Sequence, residues 1–131
     1  ALRDWARFGL FIEQGGVWNG EQILPVDWVD RATVSDEEHL KPGVVHPNPN
    51  RGYAWHWWPY ADGTFTASGA NGLTLYVDRE NDIVVGRSSA WPEGYVRAYD
   101  DQSYAMYKAL ADWLDQPAVP AEPEINATEA P

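Results

Sequence analysis

Hydroxyl nucleophiles need a neighbouring base to attack at neutral pH. The serines here are Ser35, Ser68, Ser88, Ser89 and Ser103. None sits in a Gly-x-Ser-x-Gly elbow and none has Lys three residues on; Lys41 and Lys108 are the only lysines. His39, His46 and His56 fall at no metal-ligand spacing, and without cysteine no Cys-based zinc site can form. No metal site is expected. The pairs Glu37-Glu38 and Asp100-Asp101 read as solvated faces, because nothing apolar surrounds them to raise a carboxyl pKa. No Gly-rich loop follows a strand, so no nucleotide, and no other cofactor, is expected.

One constellation remains, Phe65-Thr66-Ala67-Ser68-Gly69-Ala70-Asn71-Gly72. It reads as a strand that ends in Gly and turns straight into the next strand. Glycine there lets another backbone or a ligand approach closely. A plain tight hairpin accounts for the same residues, and the spacing leaves both readings open.

The elements around this segment follow from periodicity. Over residues 2–15, Leu2, Trp5, Phe8, Gly9, Phe11 and Ile12 recur at helical spacing, and Gly15-Gly16 ends the run. Asn19-Gly20 marks a turn between Val17-Trp18 and Ile23-Leu24. Pro25 suits the start of a short helix over 25–33, with Trp28, Val29 and Ala32 inward. Residues 35–50, with Pro42, Pro47 and Pro49, read as a loop. The aromatic run GYAWHWW at 52–58 predicts a strand, and 59–63 a turn. Strands follow at 64–68, 73–77 and 83–88, in an antiparallel meander. Residues 96–114 predict a helix with Tyr99, Met106, Leu110, Trp113 and Leu114 as its apolar stripe.

Composition bounds the partners. The chain has 131 residues, and a net charge of -11 from 9 Lys+Arg against 20 Asp+Glu. That length suits one domain able to bury roughly two thirds of its unfolded surface. The charge excludes a free-standing nucleic-acid binder, because phosphate contacts need clustered Lys and Arg. It also disfavours an anionic membrane surface. No apolar run approaches a transmembrane span. A soluble chain is expected, of bacterial periplasm or cytoplasm, with the compartment left open. Residues 1–116 read as the folded part. Residues 117–131, rich in Pro, Ala and Glu, read as a disordered acidic tail.

Three blocks carry a resemblance: RDWARFGLFIEQGGVWNGEQILPVDWVDRAT, GYAWHWWP and TFTASGANGLTLYVDRENDIVVGRSSAWP. In this order they resemble the C-terminal part of β-lactamase-related serine hydrolases, in particular the 6-aminohexanoate-dimer hydrolase and class C β-lactamase-like esterase relatives. The resemblance spans residues 2 to about 114. Such enzymes use Ser-x-x-Lys, Tyr-x-Asn and a site-edge strand carrying Lys-Thr-Gly or a relaxed form of it. Only the third has a counterpart here, Ala67-Ser68-Gly69. The lysine of its strict form is absent, which fits the esterase and amide-hydrolase relatives better than a β-lactamase.

The resemblance implies an α+β fold: an antiparallel sheet of three to four strands flanked by helices, an incomplete part of a β-lactamase/transpeptidase-like fold. It implies that the backbone N–H of Ala70 is one oxyanion-hole donor, and that Ala67, Ser68, Gly69 and Asn71 line the substrate. The substrate would be a small ester or amide, cleaved through an acyl-enzyme. Nucleophile and base would lie in a missing N-terminal portion, leaving this chain inactive alone. The strand Ile83 to Ser88 would then be an open apolar edge inviting association. The rival expectation is a Trp-rich module, with Trp55, Trp57, Trp58 and Trp91 forming a platform for sugar or peptide and no catalysis.

Overall fold

A computed structural model describes residues 1–116. The expected acidic tail at 117–131 lies outside the described residues. Helix α1 (Leu2–Glu13) is followed by a short hairpin, β1 (Val17–Trp18) and β2 (Glu21–Gln22), and by helix α2 (Trp28–Ala32). After the loop come four strands: β3 (Trp58–Pro59), β4 (Phe65–Ser68), β5 (Thr74–Asp78) and β6 (Ile83–Arg87). Helix α3 (Arg97–Leu114) closes the described chain.

The four strands form one antiparallel sheet in the order β3-β4-β5-β6, the meander expected from the sequence. Its register pairs Phe65 with Val77, Ser68 with Thr74, and Tyr76 with Val85. Alternation along each strand then sorts side chains onto two faces. Phe65, Ala67, Leu75, Val77 and Val84 pack with Ile12, Val29, Ala32 and Trp57 on one side. Tyr76, Ile83 and Val85 pack with Tyr107 and Ala111 of α3 on the other. The sheet is therefore covered by α1 and α2 on one face and by α3 on the other, and every residue of β5 is buried.

Glycine permits the α1 crossing. A Cβ on Gly9 would stand 2.4 Å from Val84 Cγ1 and 2.7 Å from Leu75 Cδ1, closer than side chains pack. The helix thus lies directly on β5 and β6, which lets Ile12 reach the core with 1% of its surface exposed.

Four expectations need correction. GYAWHWW is not a strand: only Trp58 of it pairs, together with Pro59. His56 has a φ of 65°, and the Ala54 N–H bonds to the Trp57 carbonyl, so the backbone turns sharply there. Of its aromatics Trp57 is buried in the core, while Trp55 is exposed. Pro59, expected in a turn, sits on the edge strand, where a missing N–H costs no ladder bond. In α3 the inward residues are Asp100, Ser103, Tyr107 and Ala111, whereas Tyr99, Met106, Trp113 and Leu114 are exposed. A count of apolar residues passes over a helix face that buries a charge and a hydroxyl. Finally, β2 covers Glu21–Gln22 and not Ile23-Leu24, since the Asn19-Gly20 turn brings the nearest residues into register.

Candidate functional site

The sheet delivers β4 to a tight link. The Gly69 N–H donates to the Leu73 carbonyl at 2.8 Å, and Ala70–Gly72 make a single 3-10 turn between β4 and β5. Asn71 and Gly72 hold φ of 58° and 83°. Asn and Gly tolerate that left-handed region better than other residues. The turn is pinned from above. The Asn71 N–H donates to the Gly94 carbonyl, the Trp91 N–H to the Asn71 carbonyl, and Asn71 Nδ2 to the Trp91 carbonyl at 2.9 Å. Trp91 packs onto Gly72 so closely that a Cβ there would meet its ring at 2.6 Å. Ala70 is exposed between these anchors. Its N–H has no partner among the described residues.

A cleft of about 200 Å³ opens beside this turn. Ser68, Gly69 and Ala70 form one wall; His46, Trp58, Tyr95 and the buried Arg51 form the other. Three of the five sequence-derived site residues thus meet in one cavity. Ala67 and Asn71 do not line it. Ala67 turns to the α1 face, as the alternation of β4 requires, and packs in that core. Asn71 spends its side chain on the Trp91 carbonyl.

Arg51 organises the cleft. With 2% of its surface exposed, it donates from Nη1 to Asp100 at 2.9 Å and from Nη2 to the hydroxyls of Thr66 and Ser68 at 2.7 and 2.8 Å. Ser68 in turn donates to Thr66 at 3.1 Å. The partners of the Ser68 hydroxyl are therefore a guanidinium and another hydroxyl, and neither can take its proton. Asp100 also accepts from Asn48 Nδ2 at 2.9 Å. Its carboxylate is buried, which corrects the solvated role expected of Asp100; Asp101 remains on the surface.

His46 lies between the rings of Trp58 and Tyr95, each centroid 4.9 Å away. Its Nδ1 accepts the Asn48 N–H at 3.0 Å, which assigns the proton of the neutral ring to Nε2. Burial, followed by the charge of Arg51, holds its pKa below the ordinary value. Burial also pushes the Tyr95 hydroxyl up. The cleft thus combines a free backbone donor with neutral polar side chains and a buried cation that is already paired. It can receive a small polar group with a developing negative charge.

The four tryptophans of the rival expectation do not share a face. Trp57 is buried against Phe65 in the α1-side core, while Trp58 lines the cleft and Trp55 stands exposed next to Trp28. Sequence reasoning missed Arg51, His46, Asp100 and Tyr95. The signal for Arg51 was a lone Arg preceding an aromatic run after a proline-rich loop, which is too common a pattern to point to a site.

No family model matches the chain. A curated relative, a 6-aminohexanoate-dimer hydrolase of Paenarthrobacter ureafaciens, is 30% identical over 95 residues, 70% of this chain. The chain spans about a quarter of that relative's length, 24%. A solved structure from Bacillus anthracis, provisionally named a 6-aminohexanoate-dimer hydrolase, superposes with a TM-score of 0.64 and 26% identity. That match covers 86% of this chain and 29% of the other. By sequence and by fold the chain is β-lactamase-like, sharing its architecture with part of hydrolases named for the 6-aminohexanoate dimer.

Proposed function

We propose that this chain supplies the site-edge strand and one oxyanion-hole donor, the Ala70 N–H, to a serine hydrolase that cleaves an ester or small amide through an acyl-enzyme. The observation that carries this reading is the unpartnered N–H of an exposed residue, held in a turn fixed on both sides, at the mouth of a cleft. A preorganised N–H aimed at developing negative charge lowers a transition state by several kcal/mol. The nucleophilic Ser and its Lys base would come from an N-terminal portion of the same protein. That portion would add strands to the β6 edge, whose N–H and C=O groups face away from β5. The relatives' names make a small amide the first substrate to test. The site groups of this reading hold no cofactor.

The chain alone should turn over neither p-nitrophenyl esters nor nitrocefin, and a fluorophosphonate should label none of its serines. Turnover above a Ser68→Ala control would overturn the division of labour. The reading frame upstream of Ala1 should encode Ser-x-x-Lys. In the protein it encodes, Ala70→Pro should lower kcat/KM by on the order of 10²–10³ at matched folded fraction. Ser68→Ala should keep most of the activity. The reverse result would make Ser68 the reacting group.

A further inference from the structure

A second pocket, of about 370 Å³, lies between the end of β6 and the first turns of α3. It is lined by Arg87, Trp91, Tyr99, Gln102, Ser103 and Met106. We propose that it binds a small monocarboxylate with an apolar stem, the carboxylate on Arg87 and the stem on the aromatic wall.

Arg7, Arg31, Arg51, Arg79 and Arg97 each have a carboxylate within 4.0 Å, and so do Lys41 and Lys108. Arg3 and Arg87 have none among the described residues, and Arg3 is exposed on α1, where water solvates it. Arg87 is half-buried. In a chain with 20 Asp+Glu, a partly buried cation without an acid is conspicuous, because desolvated charge needs compensation. The nearby acid of α3, Asp100, is committed to Arg51.

What surrounds Arg87 does not replace an anion. Nη1 donates to the Ser103 hydroxyl, and Nη2 lies 3.5 Å from Thr74 Oγ1, the limit of a hydrogen bond. Nε is buried without a partner among the described residues. The rings of Trp91 and Tyr107 lie 5.3 and 5.8 Å from Cζ, which orients the guanidinium without neutralising it. A planar fork of this kind suits a carboxylate, which it can bind through two donors. The Gln102 amide adds a further donor at the rim.

The rest of the wall selects the stem. Trp91 and Tyr99 lie with ring centroids 5.8 Å apart, and Met106 is 48% exposed next to them. That surface suits a short alkyl or aryl group. The net charge of -11 penalises a doubly charged phosphate more than a singly charged carboxylate.

Hexanoate is the probe, titrated into the purified chain and followed by Trp fluorescence and by the Arg Nε–H resonances. Saturable binding is expected, with a Kd on the order of 1 mM for a ligand of this size. Arg87→Gln should weaken it about tenfold or more. Tyr99→Ala should weaken hexanoate but leave acetate unchanged. Hexylamine and 1-hexanol should bind at least tenfold more weakly than hexanoate. Equal binding of 1-hexanol would reduce the pocket to an apolar surface, and tighter binding of inorganic phosphate would assign it another anion; either overturns the proposal. Should Arg87→Gln unfold, the wild-type resonance decides: a shifted Arg87 Nε–H on hexanoate addition supports the site, and an unmoved one overturns it.

Discussion

Arg51 and Asp100 are 49 residues apart in sequence and 2.9 Å apart in space, with side chains 3% and 9% exposed. Through them the 35–50 loop, strand β4 and helix α3 share one polar centre beneath the cleft. Asn48 reaches both Asp100 and Asp101, while Arg97 donates to the Pro47 carbonyl, so the loop is tied to α3 at two further points. A segment with three prolines and little regular structure is thereby anchored to α3.

Removing one partner of this pair leaves the other charge buried alone. Asp100→Asn and Arg51→Met should each destabilise the fold by about 3–5 kcal/mol. The combined Arg51→Met and Asp100→Leu variant should cost clearly less than the sum of the two single changes. Urea midpoints measure all of this. Additive losses would show that the two residues act independently.

Glycine substitutions separate the turn from the strand end. Gly72→Ala puts a Cβ where the Trp91 ring stands, 2.6 Å away, at a φ of 83°. It should cost about 1–3 kcal/mol and change Trp fluorescence as Trp91 moves. Gly69→Ala meets only the Leu73 side chain at 3.5 Å, at an ordinary φ. It should stay within about 0.5 kcal/mol of wild type. Thermal melts of the two variants side by side test the contrast.

The sheet and the site strand were legible because they obey local rules. The alternation of Phe65–Ser68 and the apolar run inside Thr74–Asp78, with Gly69 and Gly72 at the link, mark both strands and the turn between them. The other wall of the cleft was not legible. Arg51, His46 and Asp100 come from a loop and a helix far apart in sequence, and each has a solvated explanation when read alone. Their meeting depends on which face of α3 turns inward. That face carries Asp100 and Ser103, so hydrophobic periodicity pointed to the exposed residues instead. Which face of the sheet α1 covers is likewise set by tertiary packing, by Ile12 in the core and the close approach at Gly9.

Protonation of His46 couples folding to pH. Its Nδ1 accepts the Asn48 N–H, its ring is packed between Trp58 and Tyr95, and Arg51 adds positive charge nearby. Burial opposes the imidazolium most and the Arg51 charge next, so the folded pKa lies below the ordinary value of 6.5. Asp100 pulls the other way without reversing the direction. The unfolded chain then binds a proton at higher pH than the folded chain does. Folding stability is full above 6.5 and falls as the pH drops from there through the folded pKa. Glu13 and Asp62 also titrate differently in the fold, so the absolute slope mixes several groups. The difference between wild type and His46→Gln cancels them. Urea unfolding at intervals from neutral pH downward should show the wild type losing more stability than His46→Gln below pH 6.5. The gap should narrow or reverse in that range and be constant above it. A difference that does not vary with pH would mean that His46 titrates alike in both states, and that the cleft does not hold it neutral.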